Sequence, residues 1–138
     1  MKYLFLTLLW VTTALAFGQN DIEAQARQAT DALTAHYKLD EAQQQQMYQI
    51  QLRKYRNLQQ IAAYKQTNPT LYLQKLKAIR LGTDGSIKRL LRNEQLPIYY
   101  EDLRQRRKRE AQLIKELRSQ GATQQQIDAA LMEELARQ

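Results

Sequence analysis

The sequence predicts an all-α protein, a set of long helical hairpins in an extended bundle or in a dimer that shares its core. Two observations carry this. Residues 19–138 contain no Val, Phe, Trp or Cys but sixteen Leu, eight Ile, seven Tyr and twenty-one Gln. A chain without Val and with few Thr is a poor sheet former, whereas Leu, Gln, Lys, Arg, Ala and Glu favour helices. Second, turn and cap signals cut the same stretch into amphipathic segments. With Tyr as the only large aromatic, a closed core would be thinly filled, and an extended bundle or a core shared between two copies fits better.

Residues 1–18 are read apart. Lys2 is followed by an apolar run from Tyr3 to Leu15 and by the small residues Ala14, Ala16 and Gly18. That order is a secretory signal peptide, cleaved before Gln19 or just after Ala16. The run is short for a membrane span and has no basic stop on its far side. The remaining residues, 19–138, form one helical domain.

The elements follow in order. Ile22, Ala26, Ala29, Leu33 and Tyr37 make one stripe of a first helix over 21–37. Asp40 and Gln43 form a capping-box pattern that opens a second helix over 40–65. Asn68 caps and Pro69 sits in the first turn of a third helix over 69–91, carrying Tyr72, Leu76 and Ile79. Gly82-Thr83-Asp84-Gly85 reads as a break or kink, after which Ser86 restarts the helix. Pro97 requires a new start near Leu91–Gln95, giving a helix over 93–118. Gly121 stops it, and Thr123 with Gln126 opens a short helix over 123–136 through Ile127, Leu131 and Leu135. The Gln43–Gln46 run is read as solvated helix.

Charge is unevenly spread. The net formal charge is +7. Residues 42–83 hold seven basic and no acidic side chains, and residues 86–118 ten basic and five acidic, while both ends are mildly acidic. Such a field attracts acidic polymers, acidic client proteins or anionic lipid. On the second helix, Tyr48, Leu52, Tyr55, Leu58 and Ala62 fall within about 60° of one line and form the buried stripe. A second mixed face holds Ile50, Arg53, Lys54, Ile61 and Tyr64. It is either a further packing layer or dimer contact, or an apolar-plus-basic surface that binds other chains.

The run Arg104-Gln105-Arg106-Arg107-Lys108-Arg109 is the strongest local signal. Its cations point to nearly every face of a helix. The seam through Tyr99 or Tyr100 and Leu103 reaches Arg107, Glu110 and Ile114, so Arg107 interrupts it. Either the run is a solvated face paired with Glu101, Asp102 and Glu110, or the helix lines an open basic concavity. Nucleic-acid binding also fits the run in isolation, but an exported protein rarely meets nucleic acid.

Reactive chemistry is sparse. There is no Gly-rich phosphate loop, no Ser/His/Asp set and no HExxH pattern, and zero Cys excludes thiol chemistry and disulfides. His36 is the single histidine and reads as a helix C-terminal cation or partial core residue. Met47 and Met132 are too few for a copper site. No enzyme, no metal and no cofactor are expected.

Two pentads belong together: Leu39-Asp40-Glu41-Ala42-Gln43 and Leu91-Arg92-Asn93-Glu94-Gln95. Each is Leu-x-x-x-Gln at a helix start. In an exported, Cys-free, basic helical chain this resembles the Spy/CpxP family of periplasmic chaperones and stress regulators, which carry two Leu-Thr-x-x-Gln motifs. Leu39, Gln43, Leu91 and Gln95 match the motif, whereas its Thr is Asp40 in one copy and Arg92 in the other. Asp still caps a helix; Arg does not. The resemblance spans roughly residues 33–117. It implies a cradle-like homodimer in the periplasm whose concave face is basic with apolar patches and which binds unfolding proteins without ATP. The charge and face pattern of the chain itself places the expected binding of unfolding or acidic clients on Ile50, Arg53, Lys54, Ile61, Tyr64, Arg104, Arg106, Arg107, Lys108 and Arg109. Two other readings stay open: a stress regulator binding the sensor domain of a signalling protein, and a binder of anionic envelope lipid or polysaccharide.

Overall fold

The computed structural model describes residues 14–137, with side chains from residue 21 onward. Residues 1–13 of the expected leader, and its cleavage chemistry, lie outside the described residues or at their margin. Among the described residues there are six helices: α1 (Ala14–Tyr37), α2 (Glu41–Ile61), α3 (Tyr64–Thr67), α4 (Pro69–Leu90), α5 (Leu96–Ser119) and α6 (Gln124–Ala136). No strand occurs among the described residues. No described helix is long and apolar enough to cross a membrane.

The helix boundaries follow local chemistry. α1 ends in a left-handed residue, Lys38 (φ 55°), and Leu39 N–H returns to the Thr34 carbonyl at 3.1 Å. This closes the helix end as a Schellman motif. α5 ends the same way: Gly121 has φ 76° and Ala122 N–H reaches the Leu117 carbonyl at 3.0 Å. The expected capping boxes are present at Asp40/Gln43 and Thr123/Gln126, and Asn68 caps α4 by accepting from Leu71 N–H at 3.0 Å.

Three expectations need correction. α2 stops at Ile61 rather than near residue 65. Ala62 N–H and Lys65 N–H bond three residues back, at 3.2 Å each, which tightens the chain and sets off α3 as a single turn. α4 runs unbroken through Gly82-Thr83-Asp84-Gly85. Ser86 does not cap; its hydroxyl donates to the Gly82 carbonyl at 2.9 Å and accepts from Arg53 at 2.8 Å. Each interior glycine costs a helix about 1 kcal/mol relative to alanine, and packing of Leu73, Leu76 and Ile87 outweighs it. α5 begins at Leu96, with Arg92–Gln95 forming a preceding turn.

α2 lies between α1 and α4, and α6 closes over α4 and α5. Burial gathers in three clusters. One holds Ile61, Leu73, Leu76, Ile127, Leu131, Met132 and Leu135; a second Tyr37, Leu39, Met47, Ile87, Leu91 and Tyr99; a third Ile22, Ala26 and Leu52. α2 is therefore buried on more than one side. Ile61 is core and Ile50 packs against the second cluster, so the second face of α2 is largely a packing layer, while Ala62 of the expected stripe is exposed.

Candidate functional site

The two Leu-x-x-x-Gln pentads meet across the fold. Gln43 and Gln95 are buried and exchange amide hydrogen bonds: Gln43 Nε2 donates to Gln95 Oε1 at 2.8 Å and Gln95 Nε2 to Gln43 Oε1 at 3.1 Å. Each amide also ties down the end of the helix preceding the other motif. Gln43 Nε2 donates to the Leu90 carbonyl at 3.0 Å, and Gln95 Nε2 to the Tyr37 carbonyl at 3.0 Å. Leu39 and Leu91 lie in the same buried cluster. The motif is thus a two-sided clasp that satisfies carbonyls left over at two helix ends. Arg92 provides no side-chain cap, but the return half of the box survives, since Arg92 N–H donates to Gln95 Oε1 at 2.9 Å. The guanidinium of Arg92 pairs with Asp40, joining the second positions of the two pentads. Asp40's carboxyl is held below its usual range by the Gln43 N–H bond and by Arg92.

Beside this clasp a cleft of about 380 Å³ opens between α1, α2, α4, α5 and α6. Its origin lies in α5. The chief backbone contact of α5 is with α6, and it reaches α1 and α4 through long polar side chains. The inward seam of α5 is Tyr99, Asp102, Arg106, Glu110, Leu113 and Leu117, at helical spacing. Asp102 accepts from Tyr37 Oη at 2.7 Å and lies 2.8 Å from His36 Nε2; Arg106 pairs with Asp84 at 2.9 Å; Glu110 pairs with Arg80. Tyr99 Oη adds a bond to the Asp84 carbonyl at 3.4 Å. Burial, then the Asp102 hydrogen bond, pushes the Tyr37 hydroxyl above its ordinary range, and burial pulls Lys54 below its own.

The chain matches no known family model, no curated protein and no solved structure. Its function therefore rests on its own geometry.

The structure separates the expected binding residues. Arg106, not Arg107, is the cation that interrupts the seam of α5, and its side chain is only 18 % exposed against Asp84 at 16 %. It is a bridge between helices, not a free surface charge. Lys54 lines the cleft, and Ile61 is core. Arg53, Arg104, Arg107, Lys108 and Arg109 are exposed; Arg104 pairs with Glu101 and Arg109 with Glu134 at 3.5 Å, while Arg107 and Lys108 have no ion-pair partner among the described residues.

Sequence reasoning missed two features. The buried line of α2 is Gln43, Met47 and Gln51, four residues apart, with Gln51 2 % exposed. The Gln43–Gln46 run reads as solvated helix, yet Gln43 is buried, and its spacing in step with Met47 and Gln51 marks the inward side. The other is a set of exposed large hydrophobics on α4 and its neighbours, two of them beside cations. Leu81 is 76 % exposed. Lys75 lies 5.6 Å from the Tyr64 ring and Lys88 5.4 Å from that of Tyr100. Among the described residues, no group of three or more His, Cys, Asp or Glu is placed to hold a metal ion.

Proposed function

We propose that this protein is an exported, ATP-independent, holdase-like chaperone that binds unfolding or acidic client proteins on a mixed apolar and basic helical surface. The observation that carries the reading is the outer side of α4 and its neighbours. Leu81 stands exposed with the exposed Lys77 four residues before it and the exposed Lys88 seven after it, on one helix face. Tyr64 and Tyr100 extend the apolar content, and Lys75 and Lys88 of α4 contact their rings. No acidic side chain occurs from residue 42 to 83.

Such a surface captures in two stages. The basic field accelerates encounter with acidic or partly unfolded chains. Leu81, Tyr64 and Tyr100 then hold apolar segments that a folded client would bury. Arg107 and Lys108 on α5 add capture charge, whereas Arg106 and Ile61 hold the scaffold. The resemblance of the Leu39–Gln43 and Leu91–Gln95 pentads to the Spy/CpxP motifs supports the same reading and suggests a homodimer working in the periplasm.

Light scattering of an aggregating client tests it. Equimolar protein is expected to suppress aggregation, and suppression is expected to weaken from low to physiological salt, where exposed charges are screened beyond about 8 Å. Absence of suppression at equimolar ratio refutes the proposal. One tight stoichiometric partner without general suppression replaces it with the regulator reading.

A further inference from the structure

The cleft behind α5 lies where the three apolar clusters stop short of one another. Leu58, Leu76, Ile79 and Leu135 reach it from the first, Leu33 and Ile87 from the second, and Tyr55 from the third. Its volume of about 380 Å³ is within the range of small-molecule sites, roughly 300–1,000 Å³. Leu33, Leu58, Leu76, Ile79, Ile87 and Leu135 supply the aliphatic part of the wall. Its charged lining is Lys54, Arg80, Asp84, Asp102, Arg106 and Arg137, four cations against two carboxylates, with Arg80 paired to Glu110 and Arg137 to Glu133.

The unmet polar demand there is for an acceptor. Asp102 already receives Tyr37 Oη and faces His36, and Asp84 is paired with Arg106 through one terminal nitrogen. Arg106 Nε is buried and has no hydrogen-bond partner among the described residues. A buried N–H donor left unpaired is costly and rare. Lys54 places another cation at the cleft, and burial lowers its affinity for the proton, an effect that an anion beside it would reverse.

We infer that this cleft is a binding site for an aliphatic carboxylate, a medium-chain fatty-acid anion, whose carboxylate accepts from Arg106 beside Lys54 and whose chain completes the junction of the three apolar clusters. The inference stands apart from client binding, which uses the outer side of α4.

Decanoate below its micelle-forming concentration is the probe, titrated into the full chain and followed by thermal unfolding and by calorimetry, with decanol and decyltrimethylammonium as neutral and cationic comparisons. Decanoate is expected to bind saturably and to raise the melting temperature. Decanol is expected to bind at least tenfold more weakly, and the ammonium not saturably. Ala29→Leu, which fills the α1 wall of the cleft, is expected to keep the helical spectrum and weaken decanoate at least tenfold. Arg106→Lys keeps the charge but removes the Nε donor, and is expected to weaken it severalfold. Failure of decanoate to bind saturably, equal binding of the three amphiphiles, or undiminished binding in folded Ala29→Leu overturns the inference.

Discussion

Replacing Gln95 with Leu would open the clasp between the two pentads. In the intact protein the Gln95 amide donates to Gln43 Oε1 and to the Tyr37 carbonyl, and accepts from Gln43 Nε2 and from Arg92 N–H. Leucine is of similar size but makes none of these bonds. It strands half of the Gln43 amide, the Tyr37 carbonyl at the end of α1, and Arg92 N–H. At roughly 1–3 kcal/mol for each buried polar group left unpaired, with partial access of water to Arg92, the expected loss is about 3–5 kcal/mol. That is a large share of the roughly 5–15 kcal/mol that holds a typical domain together. Gln43→Leu strands the Leu90 carbonyl, the other half of the pair and Asp40 N–H, and is expected to cost about 3–5 kcal/mol. Because the two side chains satisfy each other, the double variant should lose about 1–3 kcal/mol less than the sum of the singles. Urea unfolding followed by helical circular dichroism gives all three values. A cycle that closes additively to within about 0.5 kcal/mol, or a Gln95→Leu loss below about 1 kcal/mol, would refute the clasp.

Three further predictions concern the scaffold. Gly82 sits inside α4 with open space where a Cβ would stand, so Gly82→Ala should raise stability by about 1 kcal/mol, read as a higher urea midpoint; a lower midpoint would mean that α4 needs flexibility there. Arg106→Gln strands the mostly buried Asp84 carboxylate and should cost about 2–4 kcal/mol, whereas Arg107→Gln and Lys108→Gln should each stay within about 0.5 kcal/mol; equal effects would contradict the assigned seam of α5. Burial and the Asp102 bond raise the Tyr37 hydroxyl's proton affinity in the folded state, so its contribution is complete below the unfolded value of about 10 and is lost as pH rises above it. Urea midpoints of wild type and Tyr37→Phe should therefore keep a constant gap below about pH 9 and draw together as pH rises above about 10; parallel curves would sink that assignment.

Much of the architecture is legible in the sequence because it is written in local chemistry. The Asp40/Gln43 and Thr123/Gln126 boxes, Asn68-Pro69 and Gly121 mark ends that depend on neighbours a few residues away. The α1 stripe from Ile22 to Tyr37 needs only helical spacing. What resists reading is set by distant partners. Gly82 and Gly85 look like a break until the tertiary packing of Leu76 and Ile87 holds the helix through them. Arg106 and Arg107 are adjacent and chemically identical, and only Asp84, twenty-two residues earlier, decides which turns inward. The pentads are visible as motifs, yet their joining depends on carbonyls at the ends of α1 and α4 that no composition reveals. Ile50 and Ile61 of the second face are packed for the same reason: whether Ile61 is solvated depends on α4 and α6 covering it.

Site-directed photo-cross-linking tests the proposed client surface most directly. A benzophenone side chain placed in turn at positions 81, 64 and 100 is expected to capture an unfolding client, while the same group at the exposed positions 24 and 31 of α1, in the mildly acidic part of the chain, captures little. Adducts spread equally over all five positions, or missing from position 81, would contradict a client surface on the outer side of α4.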